Sequence, residues 1–484
     1  MMRMTRIGLI LVMLCGMMVG QGLTLDQALR SALENHPGIR AEACRSESAR
    51  QQSHLSLLNF FPSFQASVRW LRLDQPIVID LNPIRTAMMQ LQASNTAEFS
   101  NLYTFLNTGR FLTDDQKAQL IQQSLSGLDQ RIPLFQETIK DRHYWSGQLT
   151  LVQPLWTWGK ILSAYSISKL DEKIAGQERS IQQQKIMSEV VDLYFTVQLL
   201  DKVCQVKRSG WLNLRQHRDH ALKMMEQGVM ARVEFLKIES ALEIAAADTL
   251  TTHHRFRVAL HLLKNKIHRD YDVFEDSLHI PDSVPSMEFF MQKLEHDQSN
   301  LITLELTRQK LAAKKRIDWA DGLPQFYGFG SYELFQQDLS TLEPEWTIGI
   351  GMKWDFLHGV DKLIQHKSNQ AMISYLDFKH QELKDNLTLL VEKLYTEMLN
   401  ARSNHQAMQK SHQLALENLK LHEKKFETGL GTALELQDAQ LTLDRVRIGR
   451  LNEMVIYNRK LAELMALTGQ LDRIGIYYRI NRTE

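Results

Sequence analysis

The sequence predicts a mainly α-helical fold with a smaller membrane β part. Two tandem repeats of long coiled-coil helices would each contain a pair of strands, and the four strands would be shared with other copies to close a barrel. Three observations predict this: a long internal repeat, an apolar helix seam that keeps its register, and alternating strands bounded by tryptophan.

The repeat relates residues 145–268 to residues 346–469 at an offset of about 201. The segment around Tyr194, VVDLYFTVQLL, corresponds to VEKLYTEMLNA around Tyr395, and MEQGVMARVEFL corresponds to FETGLGTALELQ. Such self-similarity indicates that one supersecondary unit occurs twice.

An apolar seam runs through both copies with spacings of three and four residues. In the second copy it reads Leu387, Val391, Leu394, Met398, Ala401, His405, Met408, His412, Ala415, Leu419, His422 and Phe426. A seam held this long predicts side-by-side coiled-coil packing.

These patterns divide the chain into a signal peptide (1–22), a first repeat (23–270), a linker (271–285), a second repeat (286–470) and a C-terminal tail (471–484). Capping residues, breakers and glycine turns predict helices over 24–60, 160–227, 232–268, 286–321, 360–428 and 432–468. At 1.5 Å per residue, each of the two longest helices would extend roughly 100 Å.

Four strands are predicted, at about 62–73, 145–156, 324–335 and 345–356. The last strand alternates strictly: Trp346, Ile348, Ile350, Met352, Trp354 and Phe356 share one face, and Thr347, Gly349, Gly351, Lys353 and Asp355 share the other. Trp70 and Trp145 lie on the apolar faces of the first two strands, whereas the sidedness of the third is ambiguous. The pattern is typical of a membrane strand whose tryptophans lie at the interfaces; a sheet packed on a soluble core is the alternative.

Four strands cannot close a barrel by themselves. An open edge within lipid would leave backbone groups unpaired, so several copies must contribute strands. Three copies would give a barrel of twelve strands, although two copies with eight strands or four copies with sixteen are equally consistent with four strands per chain.

The first 22 residues are typical of a secretory signal, with Arg3 and Arg6 before an apolar core and small residues near the end. A lipoprotein signal ending at Cys15 is the weaker alternative. The other two cysteines, Cys44 and Cys204, give no disulfide framework and are interpreted as buried small apolar residues. The 57 Lys and Arg balance 56 Asp and Glu, which argues against a nucleic-acid partner.

The opening LTLDQALRSALENHP, the paired QPLWTWGK and KWDFLHGV segments and the turn FETGLGTALELQDAQ together resemble the TolC-like outer-membrane efflux and secretion channels. The resemblance covers nearly the whole mature chain. It implies a homotrimer with a 12-stranded barrel in the outer membrane and an α-barrel crossing the periplasm. It also implies a periplasmic adaptor and an inner-membrane pump as partners, contact with outer-membrane lipid, and no chemistry or cofactor in the channel itself.

The resemblance also implies site residues. Glu435 and Asp438 match the acidic positions that narrow the periplasmic opening, and their i, i+3 spacing places both on one helix face; an ordinary solvated face is the alternative. Glu234 matches an acid that helps latch the opening. The helix tips that would contact the adaptor are Gln227, Gly228, Val229, Thr428, Gly429, Leu430 and Gly431.

Three departures from the family pattern stand out. Phe426 replaces a frequent tyrosine and Gly431 a frequent arginine, which predicts a looser or differently built latch. The connection from 74 to 144 is about 70 residues long, and on the family plan it would face the outside.

The motifs do not support an enzyme or a metal site. His405, His412 and His422 lie two and three turns apart on one seam, too far for one ion in one chain, and are interpreted as structural. An exported periplasmic coiled-coil scaffold or tether would also explain the repeat, but not the strands that interrupt both halves. The transported substrate and the particular pump and adaptor are not determined by the sequence.

Overall fold

The computed structural model describes residues 23–270, 277–335, 344–354 and 359–478. The predicted signal peptide, part of the linker, Asp355 and Phe356 at the end of the fourth predicted strand, and the last six residues of the tail lie outside the described residues. The helices and strands, in chain order, are α1 Leu25–Asn35, α2 Pro37–Leu57, β1 Ser63–Arg72, β2 Ile77–Asp80, α3 Asn82–Thr108, α4 Asp114–Arg131, β3 Gln136–Lys140, β4 His143–Trp156, α5 Lys160–Glu226, α6 Arg232–Ile267, α7 Met287–Asp297, α8 Ser299–Asp321, β5 Gln325–Glu333, β6 Trp346–Lys353, α9 Gly359–Glu427 and α10 Ala433–Leu467. Short 3-10 helices cover Leu58–Phe60 and Leu471–Tyr477.

The chain forms two compact units. The first contains most of the helical hairpins and is formed by the described residues of 23–56, 162–316 and 363–478; the second contains the strands and is formed by the described residues of 57–161 and 317–362.

The predicted seam is the core of the helical unit. In α9, all twelve seam positions from Leu387 to Phe426 are buried or half-buried, and in α5 the seam from Ile186 to Met225 is inward-facing as well. The largest cluster joins α1, α5, α6, α7, α9 and α10 around Tyr194, Phe195, Phe290 and Tyr457. The spacing therefore predicted the packing face of both long helices correctly.

The first helix of each repeat contains a break that the sequence analysis did not predict. His36 is extended because the following Pro37 disfavours a helical conformation at the preceding residue, so α1 ends there and α2 starts. Gln298 is also extended, and its side-chain oxygen accepts a hydrogen bond from the Leu301 N–H at 2.8 Å, which caps α8. The capping box predicted at Thr24 is present at the start of α1.

The interpretation of both cysteines as buried was wrong for Cys44, which is exposed on α2, whereas Cys204 is half-buried. Both thiols are free. Cys44 lies on a helix that buries only three of its 21 residues, so its position in a helical pattern did not imply burial.

The strand unit contains a four-stranded antiparallel sheet in the order β1-β4-β5-β6, and a two-stranded ribbon of β2 and β3. The connection from 74 to 144, for which the sequence analysis predicted no helices or strands, is folded. Its two helices, α3 and α4, lie between β2 and β3. At the helical end of the sheet, Asp321 accepts ion pairs from Lys160 at 2.6 Å and from Lys362 at 3.4 Å. One carboxylate at the end of α8 thus holds the first residues of both long helices.

Candidate functional site

The two helix tips have the same backbone. After α5, the Val229 N–H donates to the Met224 oxygen at 2.9 Å and the Gly228 N–H donates to the Met225 oxygen at 3.0 Å. After α9, the Leu430 N–H donates to the Lys425 oxygen at 2.8 Å, in the equivalent position. Both turns are therefore Schellman motifs closed by a glycine in the left-handed region.

That conformation explains why glycine stands at the same place in both repeats. Gly228 has φ of 74° and Gly429 has φ of 70°, values that residues with a Cβ adopt only with strain. A Cβ built on Gly429 would lie 3.8 Å from the Met224 side chain and 3.9 Å from the Val229 side chain. The two tips are therefore direct neighbours within one chain.

The returning helices start differently in the two repeats. At the start of α10, Thr432 and Glu435 form a capping box: the Glu435 N–H donates to the Thr432 hydroxyl at 3.2 Å, and the Thr432 N–H donates to the Glu435 carboxylate at 3.0 Å. The hydrogen bond from the Thr432 backbone lowers the pKa of Glu435. At the start of α6, Ala231 occupies the cap and makes no side-chain hydrogen bond. The carboxylate of Glu435 is thus engaged by its own helix terminus.

Of the two predicted constriction residues, Asp438 is the one that points directly away from the bundle. The buried face of α10 contains Ala433, Leu436, Ala439, Gln440, Leu443 and Asp444. At 100° per residue, Asp438 lies near the middle of the opposite face, and Glu435 lies about 60° to one side of it. Both side chains are exposed, and the structure brings neither into contact with the predicted latch residue, Glu234. Glu234 forms an ion pair with Lys237 one turn along α6, at 2.7 Å.

The tips are supported by a separate core cluster that joins all four hairpin helices. It contains Ala221, Phe235, Ile238, Ala415, Leu419, Phe426, Ala433, Leu436, Ala439 and Leu443. Phe426 is only 1% exposed and packs with its ring 6.3 Å from that of His217 and 6.2 Å from that of His220. The residue that departs from the family's tyrosine therefore serves as a core side chain.

Gly431, at the position where the family often has an arginine, has little room for a side chain. A Cβ on Gly431 would lie 3.0 Å from the Lys425 Cβ and 3.1 Å from the Phe426 backbone nitrogen. The last turn of α9 occupies the space into which a side chain would start.

The apolar surface of the tips is also repeated. Val229 is 64% exposed and its counterpart Leu430 is 83% exposed, while Val233 and its counterpart Leu434 are 63% and 55% exposed. These four side chains form two equivalent apolar pairs, one at the end of each hairpin. Gln227, Gly228, Thr428 and Gly429 are exposed beside them, and Gly431 is half-buried.

A buried polar cluster joins the two hairpins farther along the bundle. The Asp444 carboxylate on α10 occupies the space that the missing Cβ of Gly210 leaves on α5, and a Cβ there would lie 2.5 Å from its Oδ2. Gln440 donates to Asp444 Oδ1 at 3.0 Å, and Asn213 donates to Gln440 Oε1 at 3.4 Å. Burial raises the pKa of Asp444. The sequence analysis missed this cluster, although Asp444 and Gln440 share a helix face with four apolar residues.

The sheet presents the apolar faces of all its strands on one side. The strand pairing places Phe64, Ala66, Val68 and Trp70 of β1 level with Leu151, Leu149, Gly147 and Trp145 of β4. Across β5, Leu149 pairs with Tyr332, which pairs with Trp346 of β6. The sheet order therefore combines the three predicted apolar faces into one. It also resolves the ambiguous strand, whose outward residues are Phe326, Gly328, Gly330 and Tyr332.

The other side of the sheet is polar with an aromatic patch. Ser331 and Thr347 share a hydrogen bond at 2.6 Å across β5 and β6. Phe329 and Tyr327 lie directly over Gly349 and Gly351, whose missing side chains leave room for the two rings. The glycines on the polar face of β6 are thus required by close packing.

Tryptophans mark both ends of the apolar side. Seven of the eight tryptophans belong to the strand unit. Trp70 pairs directly with Trp145, and Trp346 is level with Tyr332 and Leu149, four residues along β4 from Trp145. At the helical end, the Trp354 indole donates to the Gly322 oxygen at 3.1 Å, and the Trp158 indole donates to the Pro324 oxygen at 2.7 Å. Trp156, Trp158 and Trp319 also lie around the strand ends, and the sequence analysis did not single them out.

The three histidines of the α9 seam lie in the described part of the chain. No cluster of three or more His, Cys, Asp or Glu side chains within it is arranged to hold a metal ion. His412 accepts a hydrogen bond from Arg447 at 3.4 Å, and burial followed by the charge of Arg450 lowers the pKa of His405. No helix among the described residues is long and apolar enough to cross a membrane.

Comparison with known proteins finds one similar sequence family and several similar folds. The family model for outer membrane efflux proteins matches residues 292–470. The fold is similar to that of a membrane protein from Pseudomonas aeruginosa, with a TM-score of 0.71, 14% identity, and coverage of 92% of this chain and 90% of the other. It is similar to the outer membrane protein VceC from Vibrio cholerae, with a TM-score of 0.68, 12% identity, and coverage of 92% and 96%. The CmeC outer membrane channel of Campylobacter jejuni has a TM-score of 0.68, 13% identity, and coverage of 92% and 86%. No curated protein matches the chain by sequence.

Proposed function

We propose that this chain, which resembles the TolC-like outer-membrane channels in fold and in the sequence of residues 292–470, is the outer-membrane conduit of a tripartite efflux or type I secretion system. It would work as a homotrimer whose twelve strands form one barrel, and it would carry substrates from an inner-membrane pump and periplasmic adaptor to the exterior. The proposal gives the chain no catalytic, cofactor-binding or nucleic-acid-binding role.

The single observation that carries the proposal is the exposed apolar side of a sheet with two open edges. Ile348 is 80% exposed and Ile350 is 77% exposed, in the middle of the strand that runs from Trp346. Eight residues at about 3.4 Å each give a strand of about 27 Å, close to the roughly 25 Å apolar band of membrane barrels. The outer edges of β1 and β6 have no strand partner among the described residues, so closure would require other copies.

Substitutions on the two faces of β6 test whether that side meets lipid. Ile348→Lys places a charge on the apolar side, where lipid-facing lysine costs up to about 2–4 kcal/mol and should block assembly into outer membranes. Thr347→Lys, one residue away on the polar side, is the matched control and should assemble normally. Fractionation of cells and native mass measurement give the readout. If both proteins assemble, Ile348 does not meet lipid. If the unsubstituted protein and both variants are recovered as soluble periplasmic protein, the scaffold alternative replaces the channel.

Asp438 and Glu435 are proposed to form an acidic ring at the periplasmic opening, and their exposure on one face of α10 supports this role. The charge of Glu435 can be removed without losing the helix cap, because Gln27 and Gln116 complete the same capping box at α1 and α4. Asp438→Asn combined with Glu435→Gln should therefore lower cation preference in bilayer conductance recordings. Unchanged reversal potentials would exclude both residues from the constriction.

Glu234 remains a candidate latch residue, and its existing ion pair with Lys237 would compete with any contact across chains. Glu234→Gln should raise the fraction of open channels in the same recordings if the latch contact forms. Lys237→Gln is the informative companion, because freeing Glu234 should strengthen the latch and lower that fraction. The proposed role is wrong if neither substitution changes the open fraction.

The repeated apolar pairs at the helix tips are proposed to receive the adaptor. Leu430 is the most exposed of these side chains, at 83%, and a charge there should weaken adaptor binding. Leu430→Asp is compared with Leu421→Asp, which changes a 56% exposed leucine farther up α9. Equal adaptor affinity for the two proteins would argue against docking at the tips.

A further inference from the structure

An apolar stripe runs along the free side of α3, in the inserted hairpin between β2 and β3. Its exposed fractions are 58% for Ile84, 66% for Met88, 64% for Leu91, 74% for Phe99, 53% for Leu102 and 80% for Leu106. The spacings are four, three, four, four, three and four residues once the exposed Asn95 is included. This averages about 3.67 residues per turn, so the stripe stays straight along nearly the whole helix.

The opposite side of α3 already has its partner. Its buried residues, Arg85, Met89, Ala93, Ala97 and Asn101, recur every four residues and pack against α4. The Arg85 guanidinium donates to the Asp129 carboxylate at 2.7 Å, and the Asn101 side chain accepts from the Leu112 N–H at 2.9 Å. The free stripe is therefore additional to the contacts that hold the hairpin together.

The outer face of α4 differs from that of α3. No large apolar side chain of α4 is exposed, and its exposed charged residues are Asp114, Asp115, Asp129 and Arg131, so acidic side chains predominate. A hairpin lying on a lipid surface would instead combine its apolar stripe with lysines and arginines at the headgroups. The only charged residues of α3 are Arg85, which is buried, and Glu98, which is exposed and pairs with Lys117 of α4 at 3.2 Å. Because α3 itself exposes no lysine or arginine beside the stripe, an apolar protein surface fits it better than a lipid surface does.

Asn95 indicates which protein. It is the middle residue of α3 and the only polar member of the stripe, with no hydrogen-bond partner within the described residues. A single asparagine in an apolar seam weakens association with an apolar partner but is satisfied when the same residue of an identical, parallel helix faces it. A second copy of the same helix, in register, meets that requirement.

The position of the hairpin in the chain provides the parallel arrangement. The β2–β3 ribbon connects α3 and α4 to β1 and β4, and β1 is an edge strand of the sheet. If copies associate around an axis through their strand edges, rotational symmetry gives every α3 the same inclination to that axis, so α3 helices that meet at the axis run in the same direction along it and present equivalent faces. This step rests on the proposed function.

We propose that the exposed stripe of α3 is a homotypic interface, in which the α3 helices of the copies around one axis meet in parallel and in register at Asn95. The occupant of the stripe is the same stripe of another copy of this chain. The insertion therefore contributes a second contact between copies, separate from the shared strands.

Disulfide cross-linking of the full-length, membrane-extracted protein tests the register. The background is Cys44→Ser with Cys204→Ser, which removes both free thiols of the helical unit. Asn95→Cys and Leu102→Cys lie on the stripe, and an in-register contact should convert most of either protein to covalent dimers under mild oxidation. Ser94→Cys is the matched control, because it is exposed, nearly isosteric, and about 100° around the helix from Asn95.

Conductance and native mass are recorded on the same samples. Cross-linking of the two stripe variants but not of Ser94→Cys supports the interface. A conducting trimer in which neither stripe variant cross-links, or in which the control cross-links equally well, overturns it and leaves the channel intact. Quenching of a fluorophore on the Asn95→Cys thiol by brominated lipid would identify lipid as the occupant and also overturn it. A monomer without conductance overturns this inference and the proposed function together.

Discussion

Replacing Gly210 with alanine tests how the two hairpins are held against each other. Gly210 lies inside α5, where exchanging glycine for alanine ordinarily stabilises a helix by about 0.5–1 kcal/mol. Here the added Cβ would lie 2.5 Å from the Asp444 carboxylate oxygen, too close for any contact. The carboxylate must therefore move, and the two effects on stability have opposite signs.

The cost of moving Asp444 exceeds the gain in helix propensity. The side chain is only 7% exposed and accepts a hydrogen bond from Gln440 at 3.0 Å. Loss of a buried hydrogen bond that leaves a polar group unsatisfied costs about 1–3 kcal/mol. We therefore expect Gly210→Ala to destabilise the α5–α10 contact by about 1–2 kcal/mol.

Two controls separate the clash from helix propensity. In an Asp444→Ala background the carboxylate is absent, so Gly210→Ala should now stabilise by about 0.5–1 kcal/mol. Gly176→Ala should stabilise α5 by a similar amount in the native background, because no atom lies within 4 Å of the added Cβ. Whether Gly210→Ala stabilises or destabilises the protein thus depends on the Asp444 side chain of α10.

Hydrogen exchange resolved along the chain measures the effect, because opening free energies can be obtained for individual helices without unfolding the whole assembly. Amides of α5 around Gly210 and of α10 around Asp444 should exchange about 5–30 times faster in the Gly210→Ala protein. If Gly210→Ala slows exchange in the native background as well as in the Asp444→Ala background, the reasoning is refuted. That result would mean that the Asp444 carboxylate keeps its position and hydrogen bond when a Cβ is added at residue 210.

Three further substitutions test the tips. Phe426→Ala empties a site that is 1% exposed and should destabilise the tip cluster by about 3–5 kcal/mol, seen as rapid exchange and protease cleavage there; native protection would refute it. Gly429→Ala forces a Cβ onto a residue with φ of 70° and should cost about 1–2 kcal/mol, measured by exchange of the turn amides, whereas Gly176→Ala should not. Burial lowers the pKa of His217, so its stabilising contribution is present above about pH 6.5 and is lost as pH falls through the lower folded pKa. Exchange around His217 should therefore accelerate on acidification, and His217→Gln should remove that dependence; an unchanged slope would contradict it.

The local periodicities of the sequence determined the elements and their inward faces. The seam through Leu387 and Phe426 needed only the 3.6-residue period, because a helix fixes which side chains share a face. The alternation from Trp346 to Met352 fixed the apolar side of β6 in the same way. Gly228 and Gly429 marked the turns because a Schellman motif requires a left-handed residue.

Features that depend on pairing between distant segments were decided only by the tertiary structure. The outward side of β5 followed from its register with β4 and β6, since its own aromatics and glycines fit either face. The contact of Asp444 with Gly210 joins residues 234 positions apart, and no local pattern relates them. The capping box of Thr432 and Glu435, by contrast, is local, and the pattern that predicted the box at Thr24 could have predicted it.

The inserted hairpin shows the same division most clearly. The sequence contains the 3.67-residue recurrence from Ile84 to Leu106, and that recurrence could have predicted an amphipathic helix. It contains a second line of residues, through Ala93, that recurs every four positions. Only the packing of α4 decides which of the two lines is occupied, because a helix with two candidate faces buries the one that its neighbour reaches.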